Sequence, residues 1–288
     1  SRRNFFTLQT APRQKGVFMT TSRRLHPIPD ALRLYGKYFL IHIKSIMQYK
    51  TSFFLTCLGQ FFTSFNVFLG IYFMFQRFHT VKGYTYQEVL LCYSIVLMAF
   101  TLAEAFARGF DTFPSIIGNG TFDRIMVRPR GLILQVLGQK IEFTRSARLL
   151  QAVIMLIYGL QAGDVRWTPA RALTVILMIA GGTALFSGLF LIYAAICFFT
   201  LEGLEFMNVF TDGAREHGKY PFDIYGKRFL LIVTFLIPYA CIQYYPLLFL
   251  LGRGKSWYAI LPLAGFLFLL PCYVLWRIGV RHYQSTGS

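Results

Sequence analysis

Several stretches of the sequence carry residue types that do chemistry elsewhere, and each lacks a part that the chemistry needs. Gly254-Lys255-Ser256 ends like a phosphate-binding loop, but the glycine that should open the loop five residues earlier is Phe249. Backbone N–H groups must wrap the phosphate there, and no strand leads into the stretch, so it is a decoy. Asp212-Gly213-Ala214-Arg215 begins like an acidic motif for lipid-linked phosphotransfer, yet only Asp223 follows. That leaves too few carboxylates to hold divalent cations between helices. His26, His42, His79, His217 and His282 show no HExxH spacing, and no serine sits in GxSxG. Cys57, Cys92, Cys197, Cys241 and Cys272 are odd in number, lack a CxxC pair and lie in apolar runs, as small packing residues do. No catalytic, cofactor-binding or metal-binding residue is expected.

The composition explains why. Of 288 residues, 55% are hydrophobic and only 14% charged, against about 25% charged in soluble domains. Mean hydropathy is +0.50. The natural solvent is a membrane. A net charge of +17 invites a nucleic-acid reading, but no OB, RRM or zinc-finger pattern accompanies it.

Six apolar runs, near 51–75, 86–107, 146–164, 171–200, 229–250 and 257–278, are long enough to cross roughly 30 Å of hydrocarbon. The fold class expected is all-α: a polytopic membrane protein with six transmembrane helices. Pro238, Gln243 and Pro246 interrupt the fifth run, which predicts a broken or re-entrant element there. Residues 1–29 read as a basic cytoplasmic tail without the apolar core of a cleavable signal peptide, and 30–288 as the membrane domain. From Asp30 to Lys50, Leu32, Tyr35, Phe39, Ile43, Ile46 and Met47 form a stripe with Arg33, Lys37 and Lys44 off it. That pattern fits an amphipathic helix lying in the headgroup plane.

Lys and Arg outside the runs divide 23 to 6, the minority being Arg77, Lys82, Arg166, Arg171, Arg253 and Lys255. By the positive-inside rule both termini and the loops 108–148 and 201–228 are expected in the cytoplasm. Ala180, Ala184 and Gly188 mark a close-packing seam, with its partner chain left open. Within the runs, Gln60, Ser64 and Asn66 are candidates for a substrate path, or for hydrogen bonds between helices. Glu104 and Arg108, four apart at the inner end of the second run, are expected to form an interfacial ion pair.

Arg108 to Gly131 lies between two apolar runs and carries glycine, proline and charge that hydrocarbon would not accept. Its GNGTFDRIMVRPRG (118–131), with NVFTDGAREHGKYPFDIYGK (208–227), FLIPYACIQYYPLLFLLG (235–252) and the closing RHYQSTGS (281–288), resembles the permease subunits of bacterial ATP-binding-cassette exporters of the second type, over about 30 to 288. The resemblance implies a multi-pass subunit of the cytoplasmic membrane that exports an amphipathic or hydrophobic substrate. Separate ATPase subunits would bind ATP and Mg. A second permease, identical or related, would complete the path. It also implies that the loop after span two docks on the ATPase, through Asp111, Phe113, Pro114, Ile116, Ile117, Asp123 and Arg124. Phe113, Ile116 and Ile117 would supply an apolar ridge, with Asp111 and Arg124 at its rim. The alternatives are a membrane scaffold that moves nothing, or a membrane enzyme acting on lipid-linked substrates.

Overall fold

A computed structural model describes residues 28–162, 165–200 and 207–284, so most of the basic tail lies outside the described residues. The described chain is helical. It contains α1 (Ile28–Ile46), α2 (Lys50–Phe78), α3 (Tyr86–Asp111), the short α4 (Phe113–Gly118), α5 (Thr121–Met126) and α6 (Leu132–Leu137), α7 (Ser146–Ala162) and α8 (Pro169–Thr200). Then come α9 (Asn208–His217), α10 (Lys227–Phe235), α11 (Tyr239–Ile242), α12 (Tyr244–Leu250), a 3-10 stretch Ser256–Leu263, and α13 (Ala264–His282).

Among the described residues, four helices are long and apolar enough to cross a membrane: Lys50–Phe78, Tyr86–Gly118, Pro169–Thr200 and Ser256–His282. The pair Lys227–Phe235 and Tyr239–Leu250 makes a fifth only if it is counted as one span, and it is bent by 86°. The expected break at Pro238 is therefore present. The expected six spans reduce to four or five by length and composition. The shortfall is α7, whose 17 residues cover only about 26 Å at 1.5 Å per residue.

α3 and α8 form the centre. Thr85 caps α3, its hydroxyl accepting from Glu88 N (3.4 Å) while Glu88 Oε2 accepts from Thr85 N (2.9 Å). Small residues let α8 approach its neighbours closely. A Cβ on Gly182 would sit 2.7 Å from Ala99 Cβ of α3, and one on Gly188 3.1 Å from Cys272 Sγ of α13. Gly181 and Gly265 bring α8 and α13 into backbone contact. Of the small-residue seam, Gly188 thus packs on α13 of the same chain.

α1 has the expected stripe, and that stripe rests partly on protein. Tyr35 Oη donates to Phe106 O (3.1 Å), the Phe39 ring meets Phe143 at 4.7 Å, and the His42 ring nitrogen lies 3.1 Å from Gly138 O. Arg33, Lys37 and Lys44 stay exposed.

The segment 208–225, expected as part of a cytoplasmic loop, does not gather at one end of the molecule. It follows α3 from its capped start to Phe100. The Arg215 guanidinium lies 5.0 Å over the Phe100 ring, Gly218 packs on Val96, and Tyr84 Oη donates to Asp223 Oδ2 (3.1 Å). Its six charged or histidine side chains accompany a packed face of Thr211, Ala214 and Gly218.

Candidate functional site

The segment after α3 is built as a folded bracket. Thr112 ends α3, and Pro114 is accommodated in the first turn of α4. Gly120, at φ +63°, supplies the left-handed residue that turns the chain back into α5. The bracket is anchored by rings: Phe113 meets Phe122 at 5.3 Å, Phe198 at 5.0 Å and Trp276 at 5.1 Å, and Phe122 meets Tyr283 at 4.9 Å. Tyr283 Oη donates to Asp123 Oδ1 (3.0 Å). Burial, together with Asp123, pushes that phenol up to about 12, so it keeps its proton at neutral pH. From α6, Gln135 Nε2 donates to Ile125 O (3.2 Å) and Arg130 O (3.1 Å).

This arrangement corrects the expected ridge. Phe113, Ile116 and Ile117 are buried and form the bracket's inner face, because α8 and α13 offer it an aromatic bed. Pro114 and Asp111 are half-buried, and Asp111 is held by Arg108 at 2.8 Å. Solvent meets Ser115, Gly118, Asn119, Arg124 and the run Met126 to Arg130, where Val127 is 84% exposed.

Glu104 and Arg108 do pair, at 3.6 Å, but the pair is one of the longer edges of a larger network. Glu104 Oε2 meets Arg148 Nη1 at 2.5 Å, and Glu104 Oε1 meets Arg145 Nη2 at 3.2 Å. Glu142 takes Arg145 at 3.1 Å and Lys140 at 2.9 Å. Burial acts to raise the Glu142 carboxyl, but Lys140, Arg145 and Arg108 outweigh it and hold the group below the usual glutamate range. Arg145, just before α7, and Arg148, in its first turn, are three apart, and that spacing is the sequence signal for these partners.

The candidate path residues separate. Gln60 accepts a hydrogen bond from Arg148 Nη2. Ser64 is buried beside Gln151, whose amide nitrogen donates to Ser64 Oγ at 3.3 Å. Both knit α2 to α7, whereas Asn66 is exposed on another face. No group of three or more His, Cys, Asp or Glu that would hold a metal occurs among the described residues.

A helical body with apolar spans and a bent hairpin is that of a multi-pass membrane protein. The family described as ABC-2 family transporter protein matches residues 61–287. The chain belongs to that family, whose membrane subunits lack an ATPase domain and generally pair with separate ATPase subunits. No curated protein and no solved structure shows detectable similarity to it.

Proposed function

We propose that the chain is the membrane half of a bacterial exporter, with six crossings and both termini in the cytoplasm. Two such subunits, identical or related, enclose the path. Separate ATPase chains bind ATP and Mg and dock on the bracket at 108–131. Closure of the ATPases pushes the bracket, and rigid tilting of α3, α8 and α13 opens the path outward.

The observation that carries this reading is the mechanical continuity of the bracket. Its inner face is locked to α8 and α13 through Phe113, Phe122, Phe198 and Trp276, so a load on its outer face reaches both helices without slack. The docking face is accordingly the exposed one: Ser115, Asn119, Arg124 and Val127 to Arg130, with Asp111 and Asp123 setting its shape from within. Asn66, on an exposed face of α2, remains a path candidate. Gln60 and Ser64 hold α2 in place.

Co-purification tests it. Arg124→Glu with Val127→Asp should abolish recovery of the cognate ATPase with the solubilised permease and leave the permease's thermal unfolding unchanged. Retention of a stimulated ATPase by that variant would refute the docking face. Co-purification without any ATP hydrolysis would favour a scaffold.

A further inference from the structure

α1 turns its apolar stripe toward its own chain. Tyr35, Phe39, His42, Ile43 and Ile46 are half-buried. Tyr35 reaches Phe106 O, Phe39 meets the Phe143 ring, His42 meets Gly138 O, and the Tyr38 ring lies against Gly138. What α1 offers to its surroundings is therefore the opposite face. Arg33, Lys37 and Lys44 stand there within about 40° of one another around the helix and over roughly 16 Å of its length. All three are exposed, and none takes part in an ion pair among the described residues. Leu40, Ile41 and Met47 flank them, 58%, 61% and 57% exposed.

The depth of this face follows from what comes next in the chain. α2 begins after a short junction, and its exposed side starts with Phe54 and Leu55 and continues through Leu58 and Phe62. That side lies at hydrocarbon depth, since α2 is an apolar span. Tyr49, 70% exposed, and Lys50 stand at the junction, where aromatic and cationic side chains mark the headgroup level. α1 leads into that level. Water alone does not suit three exposed aliphatic side chains, and hydrocarbon does not suit three unpaired cations. A headgroup layer rich in negative charge suits both, with the long basic stems lying along apolar surface and their charged ends at the phosphates.

We infer that the free face of α1 is a binding site for the phosphate headgroups of anionic phospholipids. Arg33 supplies a planar set of N–H donors, Lys37 and Lys44 supply compact charges, and Leu40, Ile41 and Met47 dip between the lipid chains. Each cation near an anionic surface strengthens attachment about fivefold. Lipid held there bears on the bundle and not on α1 alone, because α1 is fastened to the Phe106 carbonyl of α3 and to Gly138. The site needs only a membrane-spanning body, and it stands whether or not ATPases dock on the bracket.

Fluorescence quenching tests it on the full chain reconstituted in phosphatidylcholine vesicles. The fluorophore is placed at Gln48→Cys, an exposed position beyond Lys44, in a Cys57→Ala background, the other four cysteines being buried. Spin-labelled phosphatidylglycerol should quench at least about fivefold more effectively than spin-labelled phosphatidylcholine at equal mole fraction, and the preference should shrink as salt rises. Arg33→Gln with Lys37→Gln and Lys44→Gln should abolish it. Lys37→Gln alone, which should lower it by up to about fivefold, keeps the test open if the triple variant misfolds. Removing the same charge from the bracket, with Arg124→Gln, Arg128→Gln and Arg130→Gln, should leave the preference intact. Excess inorganic phosphate at constant ionic strength should also leave it standing. Absence of any preference in the parent, or a preference that survives the α1 changes, would overturn the site. Equal loss in both triple variants would overturn it too, by tracing the preference to net charge. Displacement by inorganic phosphate would make it a soluble-anion site instead. Loss of ATPase recovery from the α1 variant with its lipid preference intact would give the face to a protein partner and refute the lipid assignment.

Discussion

Arg148 of α7 lies 2.5 Å from Glu104 of α3 across their seam, and its second guanidinium nitrogen reaches Gln60 of α2. One side chain thus holds three helices together, and α2 has few other buried contacts: only Ser64, Ile71 and Phe75 are buried along its length.

Breaking this clamp from one side should be costly. Glu104 and Arg148 are 4% and 6% exposed, and removing one partner of a buried pair strands the other at about 3–5 kcal/mol. Glu104→Gln leaves Arg148 and Arg145 without their shared carboxylate and should unfold readily in denaturant titrations of the solubilised protein. Glu104→Met with Arg148→Met should cost less than the sum of the single changes. Additive costs would show that the pair is not coupled.

The close approaches of backbone make a second prediction. A Cβ at Gly109 would collide with the Val136 carbonyl of α6, and one at Gly265 with the Gly181 carbonyl of α8, whereas Gly36 has open space around it. Gly109→Ala and Gly265→Ala should each destabilise by about 1–3 kcal/mol through forced separation of helices. Gly36→Ala should be neutral or slightly stabilising, since alanine favours helix. Thermal unfolding of the three variants side by side decides it.

The burial of Phe113 sets apart two roles that the sequence could not separate. With its ring enclosed by Phe122, Phe198 and Trp276, Phe113→Ala should cost about 3–5 kcal/mol, as large-to-small changes in cores do. Any loss of ATPase binding should then track the loss of folded protein. If the variant unfolds normally and still fails to bind ATPase, Phe113 belongs to the docking face after all.

Run length and apolarity made the long spans legible, because α2, α3, α8 and α13 each expose or bury apolar surface over their full length. Pro238 announced the hairpin, since a proline cannot continue the hydrogen-bond ladder. Glu104 showed its ionic role but not its main partners: Arg148 is 44 residues away, and only the folding of α7 onto α3 brings them together. Phe113, Ile116 and Ile117 share a face that the sequence leaves pointing outward, because a short amphipathic helix shows which residues share a face, not what covers it. The path of 208–225 was hidden by its charge. Hydropathy weighs a whole segment, while packing needs only Thr211, Ala214 and Gly218 on one side.

Glu142 gives the network a pH dependence of definite sign. Its carboxyl is held below the ordinary value of 4.5 in the folded protein, against the burial that would raise it, by Lys140, Arg145 and Arg108. A depressed carboxylate contributes stability that is fully present above about 4.5 and is lost as pH falls through the folded-state value. Stability measured downward from pH 6 should therefore drop more steeply in the parent than in Glu142→Gln, whose amide does not titrate, and the two curves should converge at the acid end. At pH 7 the variant should be the less stable of the two, because Arg145 and Lys140 lose a shared acceptor. Parallel curves across this window would mean that the guanidinium and ammonium groups around Glu142 are satisfied by solvent and contribute nothing to the fold.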